Sequence, residues 1–423
     1  MNDGGTRLAQ RWREYAQAAC TLAVLGGFLP GALLFLLAPQ GAGPAWVATA
    51  QAHGHTQLFG WVGLMVLGVG FHFLPRLRSA RQLDPPMTGW ALWLLLAGIA
   101  SRLLAQPMAA GSQSPWLRNS AAWVLVTGAW LELAGCTLVL AILWRTLRDG
   151  PPLRQMKGMT RVMPFFLAGF LSLWGAALVN ALAALQSSVV RYGIYPASSM
   201  GAIITLMLQG FIVPISVGMS ARNFPILFRT RMPSMPLLWA GLAIQVAAVA
   251  SSLLGVEGQV LYLLAAGLFT AGLRLLEPRR PRPRGSLPIP RDPAQLLALS
   301  AYLWLLVGAL MAVGGRQDAY RHALGAGFAT LLIFGVGTHL LPGFGKQQVR
   351  SKAMTWALLV AGNLTVLARV TPSAFPWLPG HGHLEVAAGV LGACCVVAFA
   401  WNTGLLGEVE GEGYRGSIGS PGA

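Results

Sequence analysis

Long apolar segments separated by short polar ones make up almost the whole chain. A helix needs ~20 mostly apolar residues to cross the hydrocarbon core of a bilayer, and the pattern predicts twelve such helices. The eighth is the least distinct, because only residues 255–258 separate it from the seventh. The predicted helices cover residues 16–38, 52–75, 87–105, 119–144, 160–186, 200–222, 235–254, 256–275, 294–313, 321–342, 353–371 and 382–405. The predicted fold class is therefore an all-α integral membrane protein.

The composition supports this class and changes how the charge is interpreted. Of 423 residues, 55% are hydrophobic and only 10% are charged, which is too apolar for an ordinary soluble enzyme. A net charge of +17 would indicate nucleic-acid binding in a soluble chain, but the cytoplasmic loops of membrane proteins collect Lys and Arg. The segments on one side of the predicted helices hold most of the 30 basic residues. We therefore expect cytoplasmic N- and C-termini, the lipid bilayer as partner and no nucleic acid.

Three of the predicted helices carry the same pattern of residues. Residues 60–75 (GWVGLMVLGVGFHFLP), 210–225 (GFIVPISVGMSARNFP) and 327–342 (GFATLLIFGVGTHLLP) align without gaps. Gly occupies the first and ninth positions of each copy, and Pro occupies the last. The residues five positions before the first Gly are His55, Thr205 and His322. The copies are the second, sixth and tenth helices, so we predict three four-helix units related by a pseudo-threefold axis. The glycines suit either tight helix packing or a flat ligand.

The rest of the chain divides around these units. One transmembrane domain, residues 1–406, contains units at approximately 1–150, 151–276 and 294–406. Residues 277–293 (EPRRPRPRGSLPIPRDP) form a predicted extended cytoplasmic linker rich in Pro and Arg. The Gly-rich residues 407–423 form a predicted disordered cytoplasmic tail.

The histidines of the repeat predict a haem site between the second and tenth helices. His55 and His322 occupy equivalent positions near the outer ends of these helices, and His72 and His339 do so near the inner ends. Imidazole is a common ligand of haem iron, so two helices that offer histidines at one level could hold a haem. We prefer the outer pair, because 17 residues leave the two histidines of one helix ~100° apart around its axis.

Two alternatives remain open for these histidines. The outer pair could be hydrated groups at the membrane interface. At the inner level the copy at residues 210–225 has Arg222 in the equivalent position, and Arg cannot replace His as a metal ligand. His72 and His339 would then cap helices or face the propionates of a haem, with Arg222 in a supporting role.

The motif HGH occurs twice, at residues 53–55 and 381–383, each time at the outer start of a predicted helix. In an extended segment two such histidines can face one ligand. We therefore expect a copper ion held by His53, His381 and His383, with Glu385 as a second-sphere partner. The alternative is a polar helix start with a flexible Gly. Glu132, within the fourth predicted helix, is either a proton carrier or a hydrogen-bonded structural group.

The segment HGHTQLFGWVGLMVLGVGFHFLPR (residues 53–76), together with the two other copies, resembles the NnrS family of bacterial membrane proteins. This resemblance implies a twelve-helix protein of the bacterial inner membrane that contains a b-type haem and copper. It also implies a part in the response to nitric oxide, in its detoxification or in denitrification. It places the ligands among the seven histidines without dividing them between the metals.

A more distant likeness is to the catalytic subunits of haem–copper oxidases and nitric oxide reductases, in which helices 2 and 10 supply a bis-histidine haem site. His55 and His322 match that placement. The seventh predicted helix contains no histidine, the sixth offers Thr205 and Arg222, and the tenth lacks a closely spaced histidine pair. The three-histidine copper centre of those enzymes is therefore not expected.

Three functions compete at this stage. The first is a haem and copper protein of nitric oxide metabolism, which would be an oxidoreductase if it turns over nitric oxide or a related small nitrogen oxide. The second is a secondary transporter, since twelve helices and internal repeats are common there; it requires interrupted helices or a polar site at the midplane. The third is a haem protein that transfers electrons without catalysis of its own. The redox partner is not predicted.

Overall fold

The computed structural model describes residues 3–37, 43–79, 85–152, 155–190, 193–278, 292–345, 347–377 and 381–407. Over these residues the chain is helical almost throughout, and its β-type pairing is limited to one isolated bridge between Thr230 and Pro278. Most of the predicted linker, residues 279–291, and most of the predicted tail, residues 408–423, lie outside the described residues.

Twelve long helices follow the order predicted from the apolar segments. Eleven are long and apolar enough to cross a membrane, and the eighth has 15 residues. They are α1 (Arg11–Leu37), α2 (Pro44–Arg76), α3 (Pro86–Gly111), α4 (Pro115–Asp149), α5 (Met163–Ser188), α6 (Ala197–Leu227), α7 (Met235–Leu253), α8 (Gln259–Leu273), α9 (Pro293–Val313), α10 (Gln317–Phe344), α11 (Lys352–Ala374) and α12 (Gly382–Asn402). The all-α membrane fold predicted from the sequence is confirmed.

The glycines of the repeat are packing positions. In each copy they face the first helix of the same unit, which is α1, α5 or α9. A Cβ atom at any of the six would lie within 3.0 Å of a heavy atom of that helix. The contacts are those of Gly60 with Leu22, Gly68 with Tyr15, Gly210 with Ser172, Gly218 with Phe165, Gly327 with Trp304 and Gly335 with Ala294. Small residues let membrane helices approach closely, so the repeat in sequence is a repeat of one helix–helix contact.

The three repeat helices also share a local change of backbone. Each becomes π-helical four residues before its first repeat glycine, over Thr56–Gly63 in α2, Leu206–Ile212 in α6 and Ala323–Thr330 in α10. A further π-helical turn, Ala23–Phe28, lies in α1. The π-helical segments of α2, α6 and α10 contact one another at the centre of the bundle. Such turns are rare and often lie at functional sites.

The other helices form a ring around this centre. Within the units α3 packs on α4, α7 on α8 and α11 on α12, while α4 packs on α5, α8 on α9 and α12 on α1 between units. The ring leaves three equivalent spaces between neighbouring units. The first space is bounded by α2 to α6, the second by α6 to α10, and the third by α10, α11, α12, α1 and α2.

The start of α2 differs from the prediction in a way that matters for function. The helix begins at Pro44, eight residues before the predicted start at residue 52, because Pro is well suited to the first helical position. His53 and His55 therefore lie within a regular α-helix. Two residues correspond to ~200° of rotation, so their side chains leave the helix on nearly opposite sides.

Candidate functional site

A cavity of about 600 Å³ occupies the third space. Its walls come from α1, α2, α6, α10, α11 and α12, and they include both His53 and His322. The volume is within the range of ligand sites in proteins, ~300–1,000 Å³. We call it the histidine cavity.

His53 is held at the α2 wall by the backbone of α1. Its Nδ1 atom lies 2.8 Å from the carbonyl oxygen of Gly27. A carbonyl oxygen only accepts hydrogen bonds, so Nδ1 carries the proton and Nε2 keeps its lone pair. Gly31, one turn further along α1, makes room for the ring, since a Cβ atom there would lie 2.9 Å from Cε1 of His53. The close passage of α1 thus fixes the ring.

His322 is held in the same way at the α10 wall. Its Nδ1 atom lies 2.9 Å from the carbonyl oxygen of Asp318, one turn earlier in the helix, and 3.4 Å from a carboxylate oxygen of the same residue. Nδ1 therefore carries a proton here too. The described residues provide no hydrogen-bond partner for Nε2 of His53 or of His322. The cavity thus contains two imidazoles that are each held through Nδ1, and in the neutral form of each ring Nε2 has a lone pair that can bind a metal.

Charged groups support the His322 side of the cavity. Arg369 of α11 donates a 2.8 Å hydrogen bond to the Asp318 carboxylate, and its guanidinium lies 3.5 Å from a carboxylate oxygen of Glu385. The guanidinium also lies 5.0 Å above the ring of Phe35. Arg321 lines the cavity beside His322. Arg321 and Arg369 therefore lie at one end of the cavity together with the carboxylates of Asp318 and Glu385, and guanidinium groups in this position can bind carboxylate groups at the edge of a ligand.

Glycines leave the middle of the cavity open. Gly54, Gly201 and Gly325 line it, and a Cβ atom at any of the three would meet no other atom within 4 Å. They differ in this respect from the repeat glycines, which are covered by neighbouring helices. The missing side chains therefore provide space for a broad, flat ligand between α2, α6 and α10.

His55, the ligand expected from the sequence, lies outside this cavity and is fully buried in the first space. Its Nε2 atom lies 2.8 Å from a carboxylate oxygen of Glu132, and its Nδ1 atom lies 3.0 Å from Nη1 of Arg102. An arginine only donates, so Nδ1 accepts and Nε2 donates to Glu132. Both ring nitrogens are engaged, and it is His53 that lines the histidine cavity together with His322. The physical reason is the helical start of α2, which turns the two histidines apart.

The structure does not bring His72 and His339 together. His72 stacks on Phe344 with ring centroids 3.8 Å apart and also contacts Trp12. His339 is exposed, with its Nε2 atom 2.9 Å from a carboxylate oxygen of Asp292. Burial acts to raise the pKa of Asp292, but the hydrogen bond with His339 outweighs it and holds this pKa below its ordinary value. The inner histidines thus serve an aromatic cluster and an interfacial ion pair.

The residues expected to hold copper are not assembled in the described part of the chain. His383 is exposed at the start of α12, and the side chain of His381 lies outside the described residues. No group of three His, Cys, Asp or Glu side chains among the described residues is close enough to hold a metal ion. Glu385 lies on the wall of the histidine cavity beside Arg369 rather than at a separate site. Arg222 of α6 lies beside Gly158, which belongs to the segment that joins α4 to α5 along the chain.

The sequence analysis missed Arg102, Asp318 and Arg369. A signal for two of them was present, because Arg369 follows His322 by 47 residues and Arg102 follows His55 by the same interval. The repeat therefore extends into the third helix of two units. Asp318 gave no such signal, since its role depends on the position of α10 against α11.

Comparisons with known proteins bear on the fold. No family model and no curated protein matches the sequence. Among solved structures, the chain is similar to a haem–copper terminal oxidase whose dimer was determined by cryo-EM, with a TM-score of 0.54 and 12% identity, over 95% of this chain and 85% of that chain. At this identity the likeness shows the fold alone. The chain is an all-α, multi-pass membrane protein with a fold like that of a haem–copper terminal oxidase.

Proposed function

We propose that this protein is a membrane redox protein that holds one haem between His53 of α2 and His322 of α10. The observation that carries the proposal is that these histidines line one cavity, each with Nδ1 bonded to a backbone carbonyl and Nε2 free. Histidines that bind metals usually donate the other ring N–H to such a partner, which fixes the tautomer and the ring orientation.

The rest of the cavity fits the same ligand. The open faces of Gly54, Gly201 and Gly325 suit the flat macrocycle, and Arg321 and Arg369 suit its propionates. Haem supplies reversible one-electron chemistry when bound, and the protein supplies ligands, orientation and electrostatics. A haem held by these two histidines through coordination alone, without a covalent link, would be of b type.

Ligation by both histidines would favour electron transfer over catalysis. His53 and His322 would then occupy the positions that a small molecule needs on the iron, and the haem would supply one-electron chemistry. Among the three functions considered from the sequence, the geometry therefore favours the haem electron-transfer protein. The electron donor and acceptor are not assigned.

As a second step of the proposal, we infer that the protein responds to nitric oxide, as the family resemblance implies. Nitric oxide would act as a ligand that competes with His53 or His322, in a protein of the bacterial inner membrane with cytoplasmic termini. No copper site is included, because the described residues offer no set of ligands for one.

The test is spectroscopic and uses the full chain purified in detergent from cells supplied with a haem precursor. The proposal predicts one haem per chain and a low-spin electron paramagnetic resonance signal typical of two imidazole ligands. Exposure of the reduced protein to nitric oxide tests the second step through a change in the visible spectrum. A purified, folded protein without haem, or with a purely high-spin signal, would contradict the proposal.

A further inference from the structure

A second polar site lies in the first space, within the membrane-spanning helices. Arg102 of α3 is its centre and is only 2% exposed. We define the Arg102 cluster as Arg102, His55, Glu132, Asn180 and Tyr195. Polar and charged groups at this depth are costly, and they persist where each finds a partner.

The Arg102 cluster is the repeat counterpart of the histidine cavity. His55 and Arg102 occupy the repeat positions of His322 and Arg369, with the same interval of 47 residues. In the third space Arg369 lies at the wall, bonded to Asp318. In the first space Arg102 lies inside the bundle, bonded to His55 and Asn180.

The guanidinium of Arg102 is almost completely engaged. Its Nε atom donates to the side-chain oxygen of Gln106 at 3.0 Å, and Nη1 donates to Nδ1 of His55 and to Oδ1 of Asn180. Nη2 lies 3.1 Å from the sulfur of Met200. The positive charge is offset by Glu132, which lies on the far side of the neutral His55. The cluster therefore carries no net charge and does not call for an ion.

Three buried atoms of the cluster have no hydrogen-bond partner among the described residues. They are Oε1 of Glu132, Nδ2 of Asn180 and the hydroxyl oxygen of Tyr195. The residues that carry them are at most 1% exposed. Burial raises the pKa of Tyr195 to about 12, so its hydroxyl remains a donor as well as an acceptor. A buried polar group left without a hydrogen-bond partner destabilises the folded state.

The three atoms call for one kind of ligand. Glu132 offers an acceptor, Asn180 a donor and Tyr195 both. A neutral molecule that donates and accepts hydrogen bonds can satisfy all three, and water does so in buried polar sites. An anion would be repelled by Glu132, and a cation by Arg102.

Gln106 and Gln51 join the cluster to the segment between α5 and α6, which contains Tyr195. The side-chain amide of Gln106 donates to Oε1 of Gln51 at 2.7 Å and to the carbonyl oxygen of Gly193 at 2.9 Å. The backbone N–H of Tyr195 donates to the same Gln51 oxygen. Hydrogen-bonded polar groups therefore run without a break from this connection to Glu132.

We propose that the Arg102 cluster is an internal water-binding site, in which ordered water bridges Glu132, Asn180 and Tyr195 at membrane depth. The site does not depend on the haem proposal, because none of its bonds involves His53 or His322. It would be present in protein prepared without haem.

X-ray hydroxyl-radical footprinting of the full chain in lipid nanodiscs tests this site, because radicals formed from bound water modify the adjacent side chains. Tyr195 is 1% exposed, and the matched control Tyr15 is 0% exposed with its hydroxyl bonded to the Thr88 carbonyl oxygen. We expect Tyr195 to be modified several-fold faster than Tyr15, with or without haem. Equal, slow rates for the two tyrosines would overturn the proposal.

Asn180→Leu provides a second comparison, because it keeps the branched shape of the side chain but removes the Nδ2 donor, together with the Oδ1 atom that accepts from Arg102. We expect modification of Tyr195 to slow toward the rate of Tyr15. Gln209→Leu is the matched control, since it alters a buried amide of α6 that bonds Tyr320 and not the cluster. An unchanged rate at Tyr195 in folded Asn180→Leu protein would count against the site. If this variant does not fold, the comparison in the unaltered protein still decides the question.

Discussion

His53 and His55 are two residues apart in α2, yet they lie in different inter-unit spaces. His53 lines the histidine cavity beside α10, and His55 bonds Glu132 of α4 and Arg102 of α3. In a bundle with a pseudo-threefold axis, residues at equivalent repeat positions point in the same sense around that axis. Such residues of neighbouring units therefore do not face each other across one space. His322 shares the histidine cavity with His53, which occupies a different repeat position.

The buried ion pair predicts a large effect on stability. Glu132→Leu leaves Arg102 without its compensating charge and Nε2 of His55 without an acceptor. Breaking a buried pair costs ~3–5 kcal/mol, so we expect the free energy of unfolding, measured by titration with SDS, to fall by this order.

Asp292→Asn is the matched control for that experiment. The Asp292–His339 pair is similar in geometry, but the two side chains are 40% and 34% exposed. Exposed pairs contribute ~0–1 kcal/mol, so the loss should be small. Equal losses in Glu132→Leu and Asp292→Asn would contradict the structural role of the Arg102 cluster.

Filling the cavity should block haem without harming the fold. A side chain at Gly325 enters open space, since a Cβ atom there meets nothing within 4 Å. We expect Gly325→Leu to be purified with little haem but with the thermal stability of the haem-free parent. The measurement pairs haem content with a melting curve, and full haem content in this variant would argue that the ligand lies elsewhere.

The contact between Gly31 and His53 should be visible in the spectrum. Gly31→Ala places a Cβ atom 2.9 Å from the imidazole, so the ring must turn. We expect shifted g values in the low-spin signal and weaker haem retention. Gly267→Ala in α8 adds its methyl group in open space and should leave the spectrum as in the parent. A normal spectrum in Gly31→Ala would show that His53 is not a ligand.

The packing role of the repeat glycines has its own test. A Cβ atom at Gly335 would lie 2.7 Å from the carbonyl oxygen of Ala294, which is backbone and cannot move aside cheaply. Overpacking of this kind costs ~1–3 kcal/mol, so Gly335→Ala should lower the melting temperature. At Gly343 the added methyl meets nothing, and Gly343→Ala should be neutral or slightly stabilising. The reverse order would contradict the packing role.

The sequence was sufficient for the helices and their repetition, because apolar length and glycine spacing are local properties. It was not sufficient to predict the direction in which individual side chains leave their helices. Placing the start of α2 at residue 52 instead of Pro44 put residues 53–55 at the very end of the helix, where an extended or turning start would let both histidines of the motif share one ligand. Inside a helix each residue adds ~100° of rotation, so this boundary decided which histidine lines the cavity. The partners of His55 depend on the packing of α3 and α4, which no local pattern encodes.

Haem content in four single-histidine variants tests the central claim most directly. His53→Ala and His322→Ala remove the proposed ligands, whereas His55→Ala and His339→Ala remove histidines placed outside the cavity. All four are purified from cells supplied with a haem precursor, and the haem-to-protein ratio is measured. We predict loss of low-spin haem in the first two and its retention in the folded fraction of the other two. Loss of haem in His55→Ala, together with retention in His53→Ala, would contradict the account.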